Sequence, residues 1–179
     1  PLPYNDVVSL IGVMVIDDGS SDDTQQVVDE HNYIIVSNLI NRGGGAALRL
    51  GYDILKEAGG DICVTMDADG QHQTEDIEAL VLPIINDEFD VVIGSRIIGA
   101  REKDNPIRIA GVHLFGAIIS SLLGKRITDP SSGFRAFKMD KIKTIELRED
   151  QYHTSELIIE AVKKGLRVKE EPITILKRK

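Results

Sequence analysis

Short apolar runs alternate with stretches of helical period along this chain. Positions 12–16 (GVMVI) predict a buried strand, and 22–31 a helix with acidic residues in its first turn. A short strand follows over 33–37, then the glycine run Gly43-Gly44-Gly45 and a helix to about residue 58. Positions 61–66 (DICVTM) form another apolar strand that runs into Asp67. Thr74 is placed to cap a helix whose apolar positions are Ile77, Leu80, Val81 and Ile84, and 90–94 (DVVIG) predict a further strand. Strands alternating with helices of this length imply an α/β fold, a mainly parallel mixed sheet with helices on both faces. No internal repeat or linker interrupts residues 1–179, which read as a single domain large enough for one core.

In such sheets ligands gather beyond the carboxyl ends of the strands. The polar clusters fall there: Asp17-Asp18-Gly19-Ser20 after the first strand, Asp67-Ala68-Asp69 after the third, Gly94-Ser95-Arg96 after the fourth. That edge is the expected active site. Charge sharpens the expectation. Residues 1–94 hold three basic side chains against eighteen acidic ones, whereas residues 95–143 hold ten basic against four acidic. Close carboxylates suit a divalent cation and arginines suit phosphate oxygens, so a metal and a phosphorylated ligand are expected to meet between these stretches. The net charge of −8 argues against a nucleic-acid partner. The lone Cys63 excludes a disulfide framework and fits a reducing, cytosolic compartment. The longest apolar run, 109–124, is interrupted by His113, Ser120 and Ser121, so no bilayer span is expected.

Asp67 and Asp69 flank one small residue at a strand end, a spacing that lets both carboxylates reach one hard cation while Ala68 leaves room. Asp67, Asp69 and Glu78 also match three positions of a calcium loop, but His72 stands where that loop needs glycine. Gln71 and His72 remain candidates beside the cation, the alternative being a loop pair with satisfied hydrogen bonds. The Asn41-Arg42-Gly43-Gly44-Gly45 turn invites a dinucleotide reading, yet Leu48 replaces the last glycine and no Gly-Lys-Ser/Thr follows. A tight strand-to-helix turn is the simpler assignment.

VIDDGSSDDT (15–24), NRGGGAALRLG (41–51), DADGQH (67–72), GSR (94–96), DPSSGFRAF (129–137) and EEPITILKR (170–178) occur in an order that resembles family 2 glycosyltransferases. Within that family the chain is similar to the dolichyl- and undecaprenyl-phosphate sugar synthases. The resemblance implies a GT-A type, Rossmann-like fold. It also implies inverting transfer of a sugar from a GDP- or UDP-sugar to a polyprenyl phosphate, with Mg2+ or Mn2+ as cofactor. It assigns Asp17 and Asp18 to the nucleoside, with Tyr4 and Asp6 as weaker neighbours. Asp67, Ala68, Asp69, Arg96 and Arg178 are assigned to the nucleotide sugar, and Asp67, Asp69 and Gln71 to the metal. Arg108, Ser132 and Arg135 are assigned to the acceptor phosphate, and Asp69, Arg96 and Arg135 are the expected catalytic residues. A phosphate acceptor is already anionic at neutral pH, so a strong general base is less necessary and stabilisation of the leaving diphosphate carries the chemistry. Asp129 reads as a loop cap rather than a base.

The segment 106–124 is apolar nearly all round and is flanked by Arg101, Lys103, Arg108, Lys125 and Arg126. That composition fits a membrane interface beside anionic headgroups and fits a buried helix equally well. Peripheral contact at the cytoplasmic face of a membrane is the expected setting. Some features depart from the family. Only residues 7–11 separate Pro3-Tyr4-Asn5-Asp6 from the next strand, too few for a crossover of about a dozen residues, so the first unit is expected to be incomplete. Gly44 stands where relatives often carry lysine, and Gly111-Val112 replace a polar residue. Two other functions stay open: transfer to a saccharide or protein hydroxyl, and a catalytically idle nucleotide-sugar-binding scaffold.

Overall fold

The computed structural model describes residues 12–101, 106–150 and 153–177, with residues 100, 101 and 106–109 as backbone alone. Two compact units divide the chain, residues 1–54 and 55–179. In the first, strands β1 (Met14–Asp17) and β2 (Ile34–Ser37) pair in parallel, Asp17 opposite Ser37, with helix α1 (Thr24–Glu30) connecting them. Helix α1 starts later than the apolar period alone suggests. The Asp22 carboxylate accepts the Thr24 N–H at 3.1 Å and its hydroxyl at 2.5 Å, so Asp22 stops the chain just outside the helix. Helix α2 (Gly44–Ala58) follows the glycine run and buries Ala46, Ala47 and Tyr52.

The second unit holds a four-stranded sheet in the order β3 (Ile62–Thr65), β5 (Arg135–Lys138), β4 (Val91–Arg101), β6 (Val168–Ile175). Strand β5 is antiparallel to β3 and β4, and β4 is parallel to β6. Three strands therefore share a direction and β5 alone runs against them. The sheet is mixed, as expected, but two of its three strand pairings are antiparallel, so it is not mainly parallel. The reason is β5, which was not legible in the hydrophobic pattern and sits between β3 and β4. Its reversal matters for the site: the start of a reversed strand lies at the same edge as the ends of its neighbours. Arg135 is accordingly opposite Thr65 on one side and Ile93 on the other.

Helices α3 (Ile77–Ile85), α4 (Pro106–Leu123), α5 (Met139–Ile142) and α6 (His153–Lys163) complete the unit. Leu80 and Ile84 of α3 pack on Val92, Ala136 and Ile173 of the sheet and on Phe134, all of them buried. That contact explains the spacing of the apolar positions in α3. Thr74 does not cap this helix. Residues Thr74–Asp76 wind as a 3₁₀ turn, and the Thr74 hydroxyl turns to Glu75 at 3.4 Å. Asp76 instead accepts the Thr174 N–H at 2.9 Å, joining the turn to β6. Cys63 is buried on β3, where desolvation pushes its thiol up to about 12.

Helix α4 is not the fully buried helix that one of the two readings of its apolar composition expects. Gly116 and Ile119 are buried, but Leu114, Ile118 and Leu122 are 65%, 48% and 73% exposed along one face. Among its described side chains the helix is thus only half buried.

Candidate functional site

In the first unit the turn after β1 is built around two carboxylates. Asp17 accepts the Ser20 N–H at 3.0 Å, which closes a tight turn through Gly19 at φ +77°. A Cβ on Gly19 would stand 2.9 Å from the Asn41 nitrogen, so only glycine fits there. Asp18 reaches across to the segment before α2. Its carboxylate accepts the Asn38 side-chain amide at 2.9 Å, the Arg42 N–H at 3.1 Å and the Gly43 N–H at 2.6 Å. Desolvation raises the Asp18 carboxyl, but these bonds together outweigh it and leave the group below its ordinary value. The N–H groups of Arg42 and Gly43 therefore bind Asp18, which accounts for the glycine run as a tight turn.

In the second unit the chemistry gathers past the end of β3, at the start of β5 and along β4. Strand β4 pairs with β6 as far as Arg101, so Gly94-Ser95-Arg96 lies within that strand and not beyond it as expected. Asp67 lies two residues past β3, and its side chain is 66% exposed. Gly133, two residues before β5, lies against it: a Cβ there would be 2.9 and 3.0 Å from the two Asp67 oxygens. The His72 imidazole lies on the other side, with Nε2 at 3.7 Å. That imidazole first, then His153 and Arg96, hold the Asp67 carboxyl below the usual range against the opposing effect of burial. Asp69 accepts the Gln71 N–H at 3.1 Å, and the Gln71 amide donates to the Leu176 carbonyl at 3.0 Å. Ala68 is exposed between the two aspartates.

Arg96, on β4, is held bidentate by the fully buried Asp129, through Nε at 2.7 Å and an NH2 group at 3.0 Å. It also donates to the Ser131 hydroxyl at 2.8 Å. Asp129 is fixed in turn: Glu170 of β6 accepts the backbone N–H groups of Thr128 and Asp129 at 2.8 to 2.9 Å. Both Asp129 oxygens face Arg96, the geometry of an anchor and not of a base. Arg135 is 2% exposed, and its guanidinium donates to the carbonyls of Pro130, at 2.9 Å, and Thr154. It braces the 129–134 loop against the start of α6. The adjacent serines divide their work. Ser132 is buried with its hydroxyl accepting the Phe134 N–H at 3.3 Å, whereas Ser131 reaches Arg96.

A cavity of about 490 Å³ opens at this edge, lined by Asp67, Phe115, Ser131, Gly133, His153, Thr154 and Ser155. Of these, sequence reasoning found only Asp67. Ser131 and Gly133 were within a motif whose alternation of inward and outward side chains is set by a turn. His153 to Ser155 open a helix the pattern did not reveal. Tyr4, Asp6 and Arg178 lie outside the described residues, as does the side chain of Arg108.

The residues present suit a hard cation. Among the described residues no three His, Cys, Asp or Glu side chains form a metal cage. Asp67 lines the open cavity and Asp69 follows it two residues on, so the two supply the carboxylate oxygens that a hard divalent cation takes.

An α/β sheet with one reversed strand, an Asp-x-Asp beyond β3 and a cavity walled by the loop into β5 agree with the GT-A fold of the solved structures that this chain resembles. The chain belongs to glycosyl transferase family 2, whose profile matches residues 8–146. It is 38% identical over 166 residues to an uncharacterised protein of Methanocaldococcus jannaschii, covering 90% of this chain and 68% of that one. It is 36% identical over 183 residues to the UDP-N-acetylglucosamine–dolichyl-phosphate N-acetylglucosaminyltransferase of Methanococcus voltae, covering 90% and 73%. Among solved structures it is similar to the glucosyl-3-phosphoglycerate synthase of Mycobacterium tuberculosis in complex with Mn2+, UDP and glucosyl-3-phosphoglycerate. There the TM-score is 0.70 at 19% identity, over 92% of this chain and 59% of that one. The chain spans about three-fifths of that solved chain's length.

Proposed function

We propose that the protein transfers a sugar, with inversion, from a nucleotide-sugar donor to a polyprenyl phosphate, using a divalent cation. The observation that carries this reading is the exposed Asp67 carboxylate at the mouth of a 490 Å³ cavity whose wall also holds the Ser131 hydroxyl bound to Arg96. Support for the acceptor comes from the Methanococcus voltae relative, which is named for transfer to dolichyl phosphate. Support for the cation comes from the donor set and from the Mn2+ and UDP in the Mycobacterium tuberculosis structure. Asp67 and Asp69 would hold the cation, with the Gln71 amide adjoining. When bound, such an ion offsets the charge that develops on the leaving diphosphate. Arg96 adds positive charge beside the same cavity, preorganised by Asp129 and Ser131. Arg108 and Arg178 are assigned to phosphates as well, and the Asp17-Asp18 turn to the nucleoside.

Arg135 donates to the Pro130 and Thr154 carbonyls and Ser132 accepts the Phe134 N–H, so both would shape the 129–134 loop beside the acceptor phosphate assigned to them. A phosphate acceptor suits this site because the described residues at its wall hold Asp129 against Arg96 and leave it no role as a base. The exposed face of α4, Leu114, Ile118 and Leu122 with Arg126 just beyond its end, would lie against the membrane that carries the acceptor. No helix of the described residues is long and apolar enough to cross it.

The test is a thermal-shift panel of UDP, GDP and CDP with Mn2+ or Mg2+, followed by transfer from the best donor to a short polyprenyl phosphate. Stabilisation by one metal–nucleotide pair and transfer to the lipid are expected. Nucleotide binding with transfer only to a sugar hydroxyl would replace the acceptor assignment.

A further inference from the structure

Gln71 and His72 follow the Asp-x-Asp, and the structure treats them differently from a pair of exposed cation ligands. The main chain at this point is zipped to the end of β6. His72 forms an antiparallel bridge with Ile175, the Leu176 N–H donates to the Gln71 carbonyl at 2.9 Å, and the Gln71 amide donates back to Leu176 at 3.0 Å. The imidazole is turned inward, its side chain 8% exposed, with its ring centroid 4.8 Å from that of the fully buried Phe134. Its Nε2 faces Asp67 at 3.7 Å, and its Nδ1 is buried without a hydrogen-bond partner.

We infer that His72 is a positioning residue for Asp67, holding the carboxylate in the orientation in which it meets a divalent cation, without touching the cation itself. The inference rests on the metal-dependent reading above. A direct ligand role does not fit a ring this buried, with one nitrogen enclosed and the other facing a carboxylate. In the neutral ring the proton belongs on Nε2, because a buried N–H on Nδ1 would have no acceptor, whereas on Nε2 it points at Asp67. The 3.7 Å separation is a close approach and not a formed hydrogen bond. Gly133 completes the arrangement. Its backbone closes one side of the carboxylate and His72 the other, so Asp67 is left to face the cavity. Carboxylates that bind metals are commonly oriented by such an outer partner.

The experiment uses the full chain with Mn2+ and either UDP or GDP, and reads bound metal from the loss of the free Mn2+ electron paramagnetic resonance signal. His72→Phe keeps the ring packing on Phe134 and removes both nitrogens. His72→Asn keeps an amide near Nδ1 but none near Nε2, and His72→Gln restores an N–H donor near Nε2. His72→Phe and His72→Asn are expected to weaken Mn2+ binding about 10- to 100-fold, and His72→Gln by no more than about threefold. Nucleotide affinity without metal stays as in wild type. Wild-type affinity for Mn2+ in both His72→Phe and His72→Asn overturns the inference, as does an equal loss in all three variants. Should one of these variants not fold, the other against His72→Gln decides. A wild-type chain that takes up no Mn2+ with either nucleotide overturns the metal-dependent reading itself, and this inference with it.

Discussion

Two aspartates follow two strands in this protein, and they meet opposite fates. Asp18, after β1, has three donors on its carboxylate: the Asn38 amide and the N–H groups of Arg42 and Gly43. Asp67, after β3, is 66% exposed, and the groups beside it are a glycine and a histidine 3.7 Å away. The residue type and its place at a strand end are the same. What differs is whether the local backbone offers N–H groups. A carboxylate saturated by main-chain donors organises the chain, and one left open beside a cavity can serve a ligand.

The comparison is broken most directly at Asp67. Asp67→Asn should lower sugar transfer on the order of 10³-fold, as loss of a charge-stabilising group does, with the melting temperature near that of wild type. A fall in melting temperature with metal binding retained would make Asp67 structural like Asp18. Arg135→Met comes next, because it removes the buried guanidinium's bonds to the Pro130 and Thr154 carbonyls. A loss of about 3 kcal/mol is expected in urea unfolding, with activity falling as the loop loosens. Unchanged stability with selective loss of acceptor use would return Arg135 to the acceptor phosphate.

Gly133→Ala probes the open side of the comparison. Its Cβ would press on both Asp67 oxygens, and a displaced carboxylate should cost about 10²-fold in turnover at nearly wild-type stability. Asp18→Asn probes the closed side. Its amide nitrogen would face N–H donors, and a loss of about 1–3 kcal/mol is expected, read as a lower melting temperature. A smaller effect is the acid limb of stability. Asp87 is held at about 2 by Lys138 and Arg167, and Asp90 below its ordinary value chiefly by Arg167. Both carboxyls ionise more readily folded than unfolded. Their contribution is therefore complete above about pH 4 and is lost as the pH falls toward 2. Asp87→Asn should flatten that part of the melting-temperature profile, and an unchanged profile would mean the ion pairs do not persist in solution.

Much of the frame could be read from the chain because it depends on local pattern. The apolar run at 61–66 and the helical period from Ile77 to Ile84 place β3 and α3, since burial of one face imposes its own spacing. Asp67-Ala68-Asp69 was legible as chemistry because two carboxylates one residue apart are costly without a cation or donors. Tertiary structure decided what depends on partners distant in sequence. Strand β5 (RAFK) begins and ends on a charged residue and has no apolar run to announce it, and exists because β3 and β4 bond to both its edges. Helix α6 and the exposed face of α4 were hidden for a related reason: the same apolar residues serve a core or a surface according to what packs on them.

The arginines teach the same lesson more sharply. Sequence could state that Arg96 and Arg135 are cations in motifs suited to phosphate. Only the folded chain brings Asp129 to the one and the carbonyls of Pro130 and Thr154 to the other. Residue type and spacing determine which chemistry a position can perform, because charge and hydrogen-bonding groups are properties of the side chain. Which atoms that side chain meets is fixed by the register and direction of strands far apart in the sequence.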